Sequence, residues 1–232
     1  MTHPILRVIF AASVLLAGGA TASAAAPGHI DHIQIGTSDL DRGAAELTRL
    51  TGVRPKFGGT HPGAGTRNAL LSLGNGTYLE LYAPNPAEPV RSKNVAQLRA
   101  LKKLTPVGFA ITVTDAGAIR SALRKTGLTL SPPQSGARTT PDGSTLRWQA
   151  FEIAHFDDPL APFFIQWEDP ALHPSRTSPG GCTLRSLFLQ EARPARLRKA
   201  LRKLALPVTV RHATTSAIRV RLSCPAGEVI LG

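Results

Sequence analysis

The chain has 232 residues, enough for one large domain or two small ones. Its hydrophobic content of 42% is sufficient for a folded core and excludes a largely disordered chain. The formal net charge of +12 is spread along the chain, without the aromatic interleaving or the motifs of nucleic-acid-binding proteins, so we predict no nucleic-acid partner.

The first 26 residues have the three-part pattern of a secretory signal peptide. Arg7 supplies positive charge, residues 8–17 form an apolar run, and small residues suited to cleavage follow at 22–26. The apolar run is short for a membrane span, and no later segment approaches one. We therefore expect a secreted or periplasmic protein with no stable membrane insertion after cleavage.

Three stretches share one order of elements, namely a strand, a helix and then two or three strands. Each predicted helix begins near a good N-cap or Pro, and the first two end at Gly52 and Gly127. This order predicts an α+β fold, in which two tandem β-α-β-β-β modules form a cupped half-barrel sheet and a third similar module is appended. The predicted domains are residues 27–175, with the first two modules, and residues 182–232, with the third.

The second module is predicted to have its later strands at residues 128–130, 145–153 and 163–168. The last of these alternates between two sets of side chains. We expect Phe163, Ile165 and Trp167 to pack under a helix, which leaves Gln166 facing inward with its neighbours on that side.

Two alternating segments carry the residues best suited to chemistry. In the first, His32 and Gln34 share the strand face opposite Ile33 and Ile35, and in the second Tyr78 and Glu80 share a face. The first and last strands of such a module tend to be parallel neighbours, so His32 and Glu80 are expected to converge in one cavity. They are candidates for a metal or acid/base site, and a hydrogen-bonded structural pair is the alternative.

Further candidates surround this pair. The Gly-rich loop from His61 to Asn68 is either a mobile turn or a segment whose amides and side chains, including Thr66, border the ligand. Arg147 either neutralises a carboxylate or phosphate on a substrate or is an exposed edge charge. The candidate substrate-binding residues are His61, Thr66, Asn68, Tyr78, Arg147 and Gln166.

The two cysteines, Cys182 and Cys224, lie in the third module. Export would place them in an oxidising compartment, where such pairs are often bridged. If the first and last strands of the third module are parallel neighbours, both cysteines lie at the same end of the sheet. We therefore predict a disulfide between them.

Particular segments resemble a known superfamily. DHIQIGTSDL (residues 31–40) with YLELYAP (residues 78–84) resembles the vicinal oxygen chelate superfamily, which includes glyoxalase I, extradiol dioxygenases, methylmalonyl-CoA epimerase and bleomycin-resistance proteins. HPGAGTRNALLSLGNGTYLELYAP (residues 61–84) with PFFIQWEDPALHPS (residues 162–175) is similar to the glyoxalase-like domain family. The resemblance covers roughly residues 30–175 and extends weakly to residue 231.

This resemblance implies a ligand site. Metal enzymes of the superfamily place a ligand on the first and last strands of each module, and His32 and Glu80 match those places in the first module. In the second module the equivalent places fall on Gly108, which has no side chain, and on Gln166. The implied cofactor is one divalent metal ion held by His32, Glu80 and Gln166.

The resemblance also implies a function. We expect an exported lyase- or isomerase-type enzyme acting on a small polar carbonyl compound, with Glu80 as general base and His32 as metal ligand or partner acid. One alternative is a non-catalytic protein that binds or sequesters a small molecule. Another is an envelope interaction protein that uses the basic third module as its contact surface. Related proteins often pair modules between chains, so the oligomeric state stays open.

Overall fold

A computed structural model describes residues 28–90, 92–125, 127–156, 158–204, 206 and 208–232. The predicted signal peptide lies outside the described residues. No helix in the described ranges has the length and apolar character needed to cross a membrane.

The elements follow the predicted order of three modules. The first module contains β1 (Ile30–Gly36), α1 (Leu40–Thr51), β2 (Lys56–His61), β3 (Thr66–Gly74) and β4 (Thr77–Pro84). Helix α2 (Lys93–Ala100) leads to the second module, with β5 (Thr105–Thr112), α3 (Ala116–Arg124), β6 (Gln134–Thr139), β7 (Thr145–Phe151) and β8 (Phe163–Trp167). A 3-10 turn (Pro170–Leu172) and α4 (Pro174–Thr177) precede the third, with β9 (Thr183–Glu191), α5 (Ala195–Lys203), β10 (Thr209–His212), β11 (Ala217–Cys224) and β12 (Gly227–Leu231).

Local chemistry sets the ends of the elements in the first module. The Asp39 side chain accepts a hydrogen bond from the Arg42 amide and caps α1, and Gly52 ends the helix in the left-handed conformation with φ 74°. Asn75 and Gly76, at φ 50° and 77°, form the tight turn between β3 and β4. These turns place β4 beside β1.

Eight strands form a cupped, nearly closed sheet in the order β2-β3-β4-β1-β5-β8-β7-β6. In each module the first strand pairs in parallel with the last, as β1 with β4 and β5 with β8. The two modules join through the antiparallel pair β1 and β5. The predicted α+β architecture of tandem modules is therefore confirmed.

The outer face of this sheet is the hydrophobic core. Ile33, Ile35, Leu79 and Leu81 are fully buried and belong to one continuous cluster that also includes apolar residues of the helices and of the third module. Because side chains alternate across a strand, the intervening residues of β1 and β4 point to the concave face.

The last strand of the second module differs from the prediction in its orientation. Phe164 is fully buried in the core, whereas Phe163, Ile165 and Trp167 line the concave side. Both faces of this strand are largely apolar, so its sequence does not determine which face is buried, and a one-residue error reverses every side chain. The expectation that Gln166 faces inward is therefore wrong.

The same module contains a strand at a place where none was predicted. β6 covers Gln134–Thr139, while the predicted strand at 128–130 makes only an isolated bridge between Leu130 and Ile153. β6 is an edge strand with mostly exposed residues and therefore lacks the hydrophobic alternation by which strands are recognised.

The third module has the predicted element order but a different strand arrangement. Its four strands form a separate sheet in the order β10-β9-β11-β12, so its first strand pairs in parallel with β10 and not with the last strand. Strands β9 and β11 are antiparallel, and Thr183 lies opposite Ser223. Cys182 and Cys224 are consequently neighbours, with Sγ atoms at bonding distance, 2.08 Å.

Loss of this cross-link is expected to destabilise the protein. The cysteines are separated by 42 positions in sequence, and a bridge closing a loop of this order typically contributes about 2–4 kcal/mol to the free energy of unfolding. We expect Cys182→Ser/Cys224→Ser to lower that free energy by this amount in urea denaturation. Wild-type protein treated with reductant should match the double variant, and equal stability of the oxidised and reduced forms would contradict the prediction.

Candidate functional site

The concave side of the eight-stranded sheet encloses a cavity of about 360 Å³. Polar side chains of the first module form one wall, and aromatic and apolar side chains of the second module form the other. The polar wall includes His32, Gln34, His61, Asn68, Tyr78 and Glu80; the apolar wall includes Trp148, Phe163, Ile165 and Trp167.

The backbone of β1 has an irregularity that brings an additional carboxylate to His32. Ile30 pairs with Ile111 and His32 pairs with the adjacent Ala110, so Asp31 is the extra residue of a β-bulge. A bulge can turn a side chain away from the face that alternation assigns to it. Asp31 is fully buried, and its carboxylate Oδ1 lies 2.7 Å from His32 Nδ1.

Four groups donate hydrogen bonds to the Asp31 carboxylate. Oδ1 accepts from His32 Nδ1, and Oδ2 accepts from Trp167 Nε1 at 3.0 Å, from His173 Nε2 at 3.1 Å and from the Thr112 hydroxyl. Burial by itself raises the pKa of Asp31, but the hydrogen bonds and charges of His173 and His32 outweigh it and lower the pKa far below 3.8. Asp31 is therefore ionised.

An ionised carboxylate only accepts hydrogen bonds, so His32 must carry its proton on Nδ1. The opposite nitrogen, Nε2, then faces the cavity, 3.6 Å from Glu80 Oε2. The His32 ring is held by stacking on Tyr78, with ring centroids 4.7 Å apart. This combination of an orienting carboxylate and an imidazole is the arrangement of an acid/base histidine.

Glu80 is a buried carboxylate with both oxygens engaged. Oε1 accepts from Asn68 Nδ2 at 2.6 Å, and Oε2 accepts from Gln34 Nε2 at 2.9 Å. Burial acts to raise the pKa of Glu80, but the charges of His32 and His61 and these two hydrogen bonds lower it below its ordinary value of 4.5. Glu80 is therefore a carboxylate at neutral pH.

His61 completes the polar wall. Its Nδ1 lies 3.0 Å from the Thr66 hydroxyl, and its Nε2 lies 3.8 Å from Glu80 Oε1. Burial lowers the pKa of His61 below 6.5, and Glu80 only partly offsets this effect. His61 is consequently neutral at neutral pH.

The structure brings together most of the residues predicted for the site. His32, His61, Asn68, Tyr78 and Glu80 all line the cavity. Thr66 is fully buried behind His61 and contacts its ring, so it supports the wall.

Two predicted residues lie elsewhere. Arg147 is exposed on the face of β7 opposite the cavity-lining Trp148. Gln166 lines a second cavity of about 290 Å³ on the other side of Trp167, and its amide donates to the Thr114 carbonyl at 3.4 Å. The predicted metal set of His32, Glu80 and Gln166 is therefore not brought together.

The donor set does not fit a catalytic divalent metal. In the second module the equivalent places on the concave face fall on Gly108 and Ile165, whose side chains have no ligand atom. In the described ranges, no group of three or more His, Cys, Asp or Glu side chains is arranged to hold a metal ion. Catalytic divalent metals usually have three or more protein ligands.

Sequence reasoning missed two charged residues at this site. Asp31 was not among the candidates, because alternation places it on the same face as Ile33 and Ile35 and a bulge leaves no clear sequence signal. Arg138 lies on β6, the strand that was not predicted. It is 5% exposed, lines the cavity and donates through Nη1 to the Gly58 carbonyl of β2.

Several solved structures are similar to this chain. A hypothetical protein from Staphylococcus aureus aligns with a TM-score of 0.67 at 15% identity, over 88% of this chain and 99% of that one. Methylmalonyl-CoA epimerase from Mycobacterium tuberculosis gives 0.43 at 22% identity, over 60% and 86%. A Streptomyces coelicolor methylmalonyl-CoA epimerase variant in complex with 2-nitronate-propionyl-CoA gives 0.44 at 18% identity, over 61% and 98%. At 15% identity, the likeness to the Staphylococcus aureus protein concerns the fold alone.

The sequence itself identifies the family. The comparison with curated proteins gave no match. The family model described as a glyoxalase-like domain matches residues 30–205, which passes the predicted domain boundary at residue 175 and covers well over half of the chain. This chain therefore belongs to the glyoxalase-like domain family.

Proposed function

We propose that the protein is an exported isomerase- or lyase-type enzyme that moves a proton adjacent to the carbonyl group of a small polar compound, without a metal ion. The observation that carries this proposal is the approach of His32 Nε2 to Glu80 Oε2 at the wall of the cavity, with His32 Nδ1 held by Asp31. General acid/base catalysis requires two such groups within reach of the same substrate.

In the proposed reaction the Glu80 carboxylate accepts the proton from the carbon next to the carbonyl. The C–H electron pair then forms an enolate, and the proton returns to a carbon of the substrate from Glu80 or by way of His32. Asp31 stabilises the His32 imidazolium that forms when Nε2 takes a proton, since its carboxylate bonds to Nδ1.

The enolate oxygen requires a hydrogen-bond donor. Tyr78 lines the cavity, and burial together with the negative charges of Asp31 and Glu80 raises its pKa well above 10. The phenol therefore stays protonated and can donate. The aromatic wall opposite lowers the local polarity of the cavity, which strengthens each of these polar interactions.

A second candidate function is non-catalytic binding of a small molecule. Both Glu80 oxygens accept hydrogen bonds from amides, which makes this carboxylate a weaker base, and the aromatic residues of the other wall are well suited to ligand contact. The experiment below distinguishes the two.

Export remains part of the proposal. It is supported by the signal pattern of residues 1–26 and by the cysteine pair at bonding distance, since disulfides persist in oxidising compartments. Edman sequencing of protein recovered from the periplasm or medium of a bacterial host should begin near residue 25 or 27. Full-length protein confined to the cytoplasm would contradict export.

Proton exchange tests the catalytic proposal directly. Chelator-treated protein is incubated in D₂O with pyruvate or hydroxyacetone, and loss of the proton signal next to the carbonyl is followed by NMR. We expect exchange to survive chelation and to fall about 10²–10⁴-fold in Glu80→Gln and in His32→Asn, because each removes an acid/base group. Glu152→Gln, which changes an exposed carboxylate, is the matched control and should exchange at the wild-type rate.

Three outcomes would count against the proposal of metal-free catalysis by Glu80. Exchange that is unchanged in Glu80→Gln would exclude the proposed base. Exchange that requires added metal would exclude the metal-free route. Tight binding of the carbonyl compounds with no exchange above the buffer rate would favour the sequestering function.

A further inference from the structure

Arg138 is a buried cation at the wall of the cavity. Its Nη1 donates to the Gly58 carbonyl, the only acceptor that the described residues provide to its guanidinium. No carboxylate in the described ranges is within ion-pair distance of Arg138. A guanidinium has five N–H donors, and burial lowers the pKa of Arg138 because the nearby charge of Glu80 only partly offsets the loss of hydration.

The two carboxylates at this site are already occupied. The oxygens of Glu80 accept from Asn68 and Gln34, and Asp31 accepts from four donors and lies behind His32. Neither can move to pair with Arg138 without leaving other buried groups unpaired, which costs more than the new contact returns. Arg138 lines the cavity, so a ligand bound there can accept hydrogen bonds from its remaining N–H groups.

The surroundings of Arg138 favour a flat ligand. The Trp148 indole lies against β6 at Gly136, where a Cβ atom would stand 2.3 Å from Trp148 Cε2. Glycine at this position lets the ring lie directly on the strand, two residues before Arg138. The His61 ring stands edge-on to the same indole, with centroids 6.2 Å apart. The guanidinium thus borders a part of the cavity that is flanked by the Trp148 and His61 rings and that also contains Glu80.

We propose that Arg138 is the anion-binding group of this cavity and that the substrate is a small carboxylic acid with a carbonyl group beside or near its carboxylate. This assignment rests on the proposed function for the reacting part of the molecule. The planar guanidinium matches the two oxygens of a carboxylate, so Arg138 fixes the acid group while the carbon next to the carbonyl meets Glu80 and His32.

The chain carries its own reporter for ligand binding. It has two tryptophans, Trp148 and Trp167, and both line the cavity. Titration of the whole protein with pyruvate, methyl pyruvate and inorganic phosphate, followed by tryptophan fluorescence, measures binding independently of turnover. We expect pyruvate to bind about 10- to 100-fold more tightly than its methyl ester, which lacks the charge.

Variants connect that preference to Arg138. Arg138→Gln should bind acid and ester equally, and Arg138→Lys should recover part of the preference, because it keeps the charge but not the paired donors. Arg147→Gln removes an exposed arginine on the neighbouring strand and should behave like the wild type. The comparison of acid with ester in the wild-type protein needs no variant. Equal binding of the two would therefore refute the assignment even if Arg138→Gln does not fold.

Each contrary result overturns the assignment. Equal binding of acid and ester by the wild type, absence of binding by the acid, or an acid preference that persists in folded Arg138→Gln would exclude Arg138 as the anion site. Tighter binding of phosphate than of pyruvate would exclude a carboxylate as the preferred anion. If the acid binds through Arg138 but no proton exchange occurs, the proposed catalysis alone is refuted. If hydroxyacetone, which is neutral, exchanges equally fast in wild type and Arg138→Gln, and the wild type does not prefer the acid, the assignment of Arg138 alone is refuted.

Discussion

Asp31→Asn is expected to lower the rate of proton exchange by about 10⁴-fold while leaving the protein folded. Trp167 and Thr112 can still donate to the amide oxygen of asparagine, so the packing is preserved. The asparagine nitrogen, however, can donate to His32 Nδ1, which moves the imidazole proton to Nε2. His32 then presents N–H to Glu80 and can no longer accept a proton from it.

The rate at which the proton next to the carbonyl exchanges in D₂O, measured by NMR, checks this expectation. Circular dichroism checks that the variant is folded. Asp41→Asn makes the same chemical change at an exposed position of α1 and should exchange at the wild-type rate. If Asp31→Asn exchanges as fast as Asp41→Asn, Asp31 does not set the tautomer of His32.

The same carboxylate should make the fold sensitive to acid. The pKa of Asp31 is lower in the folded protein than its ordinary value, so its stabilising effect is fully present above the unfolded-state pKa of 3.8 and is lost as the pH falls towards the folded pKa. At neutral pH we expect Asp31→Asn to lower the free energy of unfolding by about 3–5 kcal/mol, because several hydrogen bonds to a charged carboxylate are replaced by weaker bonds to a neutral amide.

Urea unfolding of both proteins at a series of pH values measures this difference. It should stay constant above about pH 5 and then shrink by up to roughly 1.4 kcal/mol per pH unit as the medium is acidified. The pKa of Glu80 is also lowered, but Glu80 is present in both proteins and its contribution cancels to first order. A difference that is independent of pH would show that Asp31 is not the acid-sensitive group.

The first module could be predicted from sequence because its signals are local. The Asp39 cap, the Gly52 stop and the Asn75-Gly76 turn each have a specific residue preference, and together they fix the register of β1 beside β4. The meeting of His32 and Glu80 followed from that register. Such signals need no knowledge of the rest of the fold.

The second module depends on tertiary contacts that its sequence does not reveal. β8 has large apolar residues on both faces, because one face meets the core and the other meets the cavity, so alternation could not orient Gln166 and Trp167. β6 is exposed and polar, so Arg138 was not recognised as part of a strand. The bulge at Asp31 arises from the pairing of β1 with β5, about eighty residues apart.

The joining of two modules through β1 and β5 has a consequence for symmetry. A cavity formed by two identical copies of one module would contain each side chain twice, on opposite sides of a two-fold axis. Here the halves are different stretches of one polypeptide, so a half with the histidines and Glu80 faces a half with Arg138 and most of the large aromatic side chains. Such a cavity can hold a molecule with dissimilar ends in a single orientation. In an exactly duplicated cavity, that orientation and the reversed one would be equivalent.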